Sequence, residues 1–317
     1  MKKSFVALAA MAVALCLTSC TKKEAADGEK VIKIGVIQLM EHVALDKNYQ
    51  GFVDGLAEAG YVDGQNIKID FQNAQGEQAN CVTIAEKLIN DKDDLIFAIA
   101  TPAAQAVANL TTEIPVLISS VTDPASANLV KSNEMPGTNV TGTSDLTPCA
   151  AQMRLLKKIF PEAKTVGMLF CSSEQNSRFQ IDLAEAACDE LGLKYVEMTV
   201  SNSNELAQVT QALCGKCDVI YSPTDNMVAA GMALVGQVAT ENGKACIVGE
   251  EGMCDAGGLA TYGINYYELG KQTAKMAVEV LNGKNPAEMP VQYLDVCDLK
   301  VNQATAAALG ITIPADL

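Results

Sequence analysis

The chain has 317 residues, 23 Lys and Arg against 38 Asp and Glu, a net charge of -15, one histidine and no tryptophan. That length predicts about two domains with a sizeable core, and 49% apolar against 19% charged residues exclude a disordered chain. An isoelectric point near 4.5 argues against nucleic acid as a partner, because phosphate binding needs clustered Lys and Arg. One histidine excludes His-rich metal centres and leaves a Ser-His-Asp triad a single candidate base, His42.

Residues 1–19 read as a signal peptide: Lys2 and Lys3 precede an unbroken apolar run from Phe5 to Leu17, too short to span a bilayer of roughly 30 Å comfortably. The run ends in Leu17-Thr18-Ser19-Cys20, which resembles the bacterial lipobox and implies lipidation of Cys20, the new N-terminus. An ordinary secretory signal with a chance cysteine is the plainer alternative. Residues 20–30 then serve as the lipidated cysteine and a polar tether, which holds the protein outside the cytoplasm on a lipid bilayer.

From Val31 the pattern alternates strand and helix. Val31 to Ile37 is a β-rich run, and Tyr49, Phe52, Val53 and Leu56 follow at helical spacing up to Gly60. Strands are expected over Ile67–Phe71, Leu95–Ala100, Ile114–Ile118 and Asn139–Gly142, with helices over Cys81–Ile89 and from Thr101-Pro102. The series restarts with strands at Thr165–Phe170, Lys194–Thr199, Asp218–Tyr221, Ala245–Val248 and Gly258–Tyr262. Helices run to Leu191, to Leu213 and from about Asp225, and another spans Tyr266 to Leu281 with Leu269, Thr273, Met276 and Val280 on one face. Strands separated by helices imply βαβ units. The fold class is therefore α/β, with two doubly wound parallel-sheet lobes: 31–145 plus 263–284, and 146–262 plus 285–317.

Parallel sheets bind ligands beyond the carboxyl ends of their strands. Six segments lie there: Gln38–His42, Ala100–Ala104, Ser119–Pro124, Cys171–Asn176, Ser222–Asn226 and Gly249–Gly252. They supply the candidate ligand-binding residues Gln38, Glu41, His42, Thr101, Ala103, Ala104, Ser120, Thr122, Asp123, Asp145, Ser173, Asn176, Thr224, Asp225, Asn226 and Glu251.

The stretches IGVIQLMEHVALD, GFVDGLAEAGY, NIKIDFQNAQG, AIATPAAQA, VTDP, GTNVTGTSDLTP, TVGMLF, IYSPTDN and ATYGINYYELGKQT, over about residues 31–310, resemble the substrate-binding lipoproteins of ABC importers. The resemblance is to the group associated with tryptophan, tyrosine and phenylalanine uptake. It implies a type I periplasmic-binding-protein fold with a three-segment hinge, no catalysis, no cofactor, a small ligand in the cleft and docking onto permease membrane subunits. Phe170-Cys-Ser-Ser-Glu174 and Glu250-Glu-Gly-Met253 depart from the group's usual Tyr-Asn-Ser-Gly-Glu and Ser-Glu-Gly-Ser.

A zwitterion suits these segments. The helix start at Thr101-Pro102-Ala103-Ala104 can take a carboxylate on free amides, or Thr101 simply caps it. Ser120 and Thr122 add hydroxyls or shape the turn before Pro124. Asp225 is the candidate for the ammonium, with helix capping as its alternative, while Asp123 and Asp145 read more readily as capping or hinge groups. His42 offers a stacking ring; adjacent Glu41 and His42 point apart in an extended loop, and no G-x-S-x-G elbow completes an enzyme. Tyr262 to Tyr267 read as hinge or core. A nucleoside or sugar receptor of the same fold, or an extracytoplasmic hydrolase, are the competing classes. The nine cysteines after Cys20 are odd in number and scattered, against a disulfide framework. Cys214-Gly-Lys-Cys217 reads as a helix-to-strand turn.

Overall fold

The computed structural model describes residues 31–317, so the signal peptide expected over residues 1–19, the lipidated Cys20 and the tether lie outside the described residues. In the first lobe, β1 (Ile32–Gln38), α1 (Val43–Glu58), β2 (Ile67–Asn73), α2 (Gln78–Asn90), β3 (Leu95–Ile99), α3 (Thr101–Ala108), β4 (Val116–Val121) and β5 (Val140–Ser144) follow one another. They form a wholly parallel sheet in the order β2-β1-β3-β4-β5. Helices on both faces explain why β3 reads LIFAI without a polar residue: all five positions are buried. Phe52 of α1 stacks on Phe97 of β3 with ring centroids 3.9 Å apart, at the centre of this core.

The second lobe runs α4 (Cys149–Ile159), β6 (Thr165–Cys171), α5 (Gln175–Leu191), β7 (Lys194–Val200), α6 (Leu206–Cys214), β8 (Val219–Ser222), α7 (Asn226–Ala230), α8 (Met232–Glu241), β9 (Cys246–Val248), α9 (Glu251–Asp255) and β10 (Ala260–Gly263). After α10 (Tyr266–Leu281), the chain returns as β11 (Asp298–Val301) and α11 (Gln303–Leu309). The sheet order is β11-β10-β9-β8-β6-β7, parallel except for β11, which pairs antiparallel with β10 at the edge. Two hydrophobic clusters cover its two faces.

Helix α10 belongs with the first lobe. It packs along α1 through a glycine seam: a Cβ on Gly270 would collide with the Asn48 carbonyl oxygen, and one on Gly51 with the Tyr267 carbonyl oxygen. A buried hydroxyl chain ties the same elements together. The Asn48 amide donates to Ser119 Oγ (2.7 Å), Ser119 and Thr143 meet at 2.8 Å, Thr143 and Thr273 at 2.8 Å, and Thr273 donates to the Leu269 carbonyl. The end donors fix its polarity, since each hydroxyl has one hydrogen to give.

The expected passage between lobes at 284/285 is displaced. The Val291 amide donates to Asn133 O, the Gln292 amide to Gly142 O, and the Ser144 amide to Gln292 O, so residues up to 292 lie along β5. The chain passes to β11 only after that. Spacing could not reveal this, because Pro286–Gln292 carries no helical or strand period. Cys214-Gly-Lys-Cys217 does lie in the turn between α6 and β8. All nine described cysteines are free, eight of them buried.

Candidate functional site

The described strand ends converge where the two lobes face each other. On the first lobe, β1 ends in Gln38, whose amide donates to the Met40 carbonyl (2.8 Å) and to Asp46 (2.7 Å), fixing the bend that presents His42 at the start of α1. Strand β3 is followed by Ala100 with φ +82°, and β4 carries Ser120 at φ +54°. Neither is glycine, and left-handed backbone at such residues costs on the order of 1–3 kcal/mol, a strain that concentrates at binding sites. Thr101 follows Ala100 and opens α3 with Pro102 in its first turn.

On the second lobe, β6 runs into Ser173, Glu174 and Asn176; β8 into Thr224, Asp225 and Asn226; and β9 into Glu250. Between the lobes lies a narrow cavity. His42, Leu45, Ser120, Asp145 and Tyr266 form one wall, and Thr224, Asp225, Asn226, Ala229 and Glu250 the other. Several buried polar atoms around the strand ends have no hydrogen-bond partner: Gln38 Oε1, Thr101 Oγ1, Ser120 Oγ, Asn176 Oδ1 and Ser222 Oγ. Burying such groups unpaired is costly, and of the five residues Ser120 lines the cavity, where a polar guest would satisfy it.

The electrostatics are one-sided. Among the described residues no Lys or Arg lines the cavity, yet three carboxyl groups do. Burial pushes Asp145 up to about 6 against hydrogen bonds from Tyr266 and Thr122, and Glu250 up to about 7 against the Gly252 and Met253 amides. Burial also raises Asp225. His42 is driven down to about 4 by desolvation, opposed by its contact with Asn226. Burial thus disfavours the ionised form of all three acids and leaves the imidazole neutral near pH 7, an arrangement that a cationic group would relieve.

The expected site residues sort into three groups. His42, Ser120, Asp145, Thr224, Asp225 and Asn226 line the cavity. Gln38, Thr101, Ala103, Thr122 and Asn176 are buried close behind, at the strand ends. The remaining five are placed differently. The Ala104 amide donates to the Ala100 carbonyl, the first bond of α3, and is not open to a ligand. Asp123 shapes its own loop by accepting from the Ser126 amide (2.7 Å) and Asn133 Nδ2 (3.1 Å). Glu41 and Ser173 face a separate outer groove with Gln78 and Met227. Glu251 lies in a side pocket with Lys47 and Asn265, because its neighbour Glu250 takes the inward position and caps α9.

Asp225 realises its alternative reading. Its Oδ1 caps α7 through the Val228 amide (2.8 Å), while Oδ2 accepts from the Cys171 amide (2.6 Å) and the Ser177 hydroxyl (2.7 Å). Asp145 joins the hinge by accepting from Tyr266 Oη (2.8 Å) and Thr122 (3.2 Å), and faces the cavity as well. Sequence reasoning missed Glu250, Tyr266 and Gln180. Gln180 spans the lobes, donating to Thr224 Oγ1 (2.7 Å) and Thr122 Oγ1 (3.3 Å). Its only signal was a polar residue at a helix position that turns inward. Among the described residues no cluster of His, Cys, Asp and Glu could hold a metal.

Further bonds cross between the lobes. His42 meets Asn226 at 3.2 Å, and Gln175 accepts from Gln105 (2.8 Å) while donating to the Ser126 carbonyl (2.6 Å). The cleft is closed.

Comparison with known proteins bears on both fold and site. The ABC transporter substrate binding protein family matches residues 33–317. A tyrosine-binding protein of Clostridioides difficile (strain R20291) is 42% identical over 304 residues, covering 93% of this chain and 88% of the relative. The ABC domain from Streptococcus pneumonia, solved in complex with L-Trp, superposes with a TM-score of 0.88 at 40% identity, over 90% of this chain and 97% of that one. A substrate binding protein with adhesive properties from Clostridium difficile, solved ligand-free and open, is 48% identical over the same shares, yet its TM-score is 0.69. Fit runs against identity here, and the interlobe bonds give the reason: this chain has the closed arrangement.

Proposed function

This chain belongs to the ABC transporter substrate binding protein family, and from that premise we propose that it captures a zwitterionic amino acid with an aromatic or other hydrophobic side chain and delivers it to an ABC permease. Proteins of this family work outside the cytoplasm and bind their substrate without transforming it. Lipidation of Cys20 anchors it to the membrane in this reading, with residues 21–30 as the leash.

The observation that carries the ligand class is the pairing of three buried carboxyl groups with no cationic side chain in the same cavity. A ligand ammonium compensates them. Thr101 Oγ1 and Ser120 Oγ, unpartnered at the strained ends of β3 and β4, suit the ligand carboxylate, with the start of α3 behind them. Leu45 and Ala229 give the walls apolar surface suited to an apolar side chain. The related proteins that bind tyrosine and L-Trp support the same class.

Calorimetric titration of the protein without residues 1–20 against the common amino acids, nucleosides and sugars tests this. The expected result is stoichiometric binding of one or more of tyrosine, tryptophan and phenylalanine, with the titrated ligand recovered unchanged. Saturation by a sugar or nucleoside and by no amino acid would transfer the protein to another substrate class.

A further inference from the structure

Behind the cavity wall stands an acid that is not itself part of the cavity lining but holds one of its residues. Glu174, 5% exposed, immediately precedes α5. Its Oε2 accepts from the Asn226 backbone amide (3.1 Å), the Asn226 side-chain amide (2.6 Å) and Asn176 Nδ2 (3.1 Å), and its Oε1 from the Met227 amide (3.0 Å). Two of these donors are main-chain N–H groups whose direction the fold dictates. Burial and the charge of Asp225 raise the Glu174 carboxyl, while the hydrogen bonds from Asn226 and Asn176 pull it back. The geometry holds for either charge, because a carboxyl protonated on Oε1 still presents Oε2 as a carbonyl acceptor.

Asn226 must then turn its NH2 toward Glu174, which leaves its Oδ1 pointing across the lobe boundary, 3.2 Å from His42 Nε2. An amide oxygen has no hydrogen, so the imidazole supplies it. A neutral imidazole carries only one hydrogen, and whichever nitrogen holds it decides what the other can do.

We propose that Glu174 is a positioning residue: by fixing the Asn226 amide it sets His42, on the other lobe, in the Nε2-protonated tautomer, so that Nδ1 can only accept a hydrogen bond. A ligand group meeting Nδ1 must then bring its own hydrogen, as an ammonium, an indole N–H or a phenol O–H does. The assignment deepens the amino-acid reading above and rests on it only for the ligand-bound part of the test.

His42 is the sole histidine, so 15N-histidine labelling gives one imidazole spectrum with no assignment problem. In protein saturated with L-tyrosine or L-tryptophan, the wild type is expected to show hydrogen on Nε2 and none on Nδ1. Glu174→Met removes the acceptor and frees Asn226 to rotate; a mixed tautomer population and about a tenfold loss of affinity are expected. Glu174→Gln, which keeps a carbonyl oxygen, should restore the Nε2 tautomer. In ligand-free protein the Asn226 side-chain hydrogens, held wholly within the second lobe, should exchange slowly in the wild type and fast in Glu174→Met. An Nδ1-protonated wild type, an unchanged tautomer in Glu174→Met or an unprotected Asn226 amide would each overturn the assignment. If no amino acid binds, the functional reading fails while the Asn226 exchange still decides this one. Should Glu174→Met fail to fold, the wild-type tautomer and Glu174→Gln carry the test.

Discussion

Three donors of its own lobe surround the carboxylate of Asp225: two backbone amides and the Ser177 hydroxyl. Replacing it by alanine removes an N-cap, worth about 1 kcal/mol, and strands the Cys171 amide and the Ser177 hydroxyl, each at about 1–3 kcal/mol. Asp225→Ala is therefore expected to lower unfolding stability by about 3–7 kcal/mol in urea titration, on the sum of those terms. Asp225→Asn should lose much less. Unchanged stability in Asp225→Ala with collapsed affinity would instead make Asp225 the ammonium partner alone. At this scale the sequence is ambiguous in a specific way. Side chains one apart face differently, so Gly249-Glu-Glu-Gly252 declares an acidic strand end, yet which glutamate turns inward depends on the cap geometry of α9. Ala104 teaches the same lesson, since its amide is lost to the first turn of the helix it was expected to leave open.

Elements carry a stronger imprint in the sequence than single side chains do. The buried run of β3 and the glycine closing α1 could be read directly, because burial on both faces and left-handed caps restrict residue choice. The break between α7 and α8 was not legible, nor were helix α9 and the antiparallel edge strand β11; α7, α9 and β11 are short, and tertiary packing rather than period defines them. The meeting of α3 with the start of α5 was likewise invisible, being a contact between lobes. There Gln175 grips both Gln105 and the Ser126 carbonyl without touching the cavity. Neutral amide bonds of this kind contribute about 0.5–1.5 kcal/mol each, and they exist only when the lobes are closed. Gln175→Ala should accordingly accelerate ligand release about five- to tenfold and leave the association rate nearly unchanged. The acceleration should be the same at low and high salt, since no charge is involved. The chain has no tryptophan, so stopped-flow emission from bound L-tryptophan would report the release rate. An unchanged release rate would reduce the clasp to an incidental contact.

For the molecule as a whole, closure brings Asp145 and Glu250 together in a cavity with no positive side chain, and the ligand supplies what is missing. A population shift toward the closed form requires a ligand that contacts both lobes and favours that form. The charge requirement can be isolated by offering the arylpropionate that lacks only the amine. Near pH 7.5 it should bind at least about a hundredfold more weakly than its parent amino acid, as buried carboxylates left without a partner are expensive. The pH dependence then separates the two ligands. In the closed cavity without a cation, Asp145 and Glu250 hold protons up to about 6 and about 7, well above the ordinary carboxyl range. The closed form thus binds more protons than the open one between those limits, and closure on the arylpropionate gains as pH falls. His42 opposes this, because its closed-form value of about 4 lies below its ordinary 6.5 and closure loses as pH falls through that interval. Two acids outweigh one base, so the arylpropionate should recover about tenfold in affinity between pH 7.5 and pH 5.5. The parent amino acid keeps both carboxylates ionised through its ammonium, feels mainly the histidine, and should weaken over the same interval. Calorimetric affinities for the two ligands measured across that range decide it: parallel trends would mean that the acids do not face the amine.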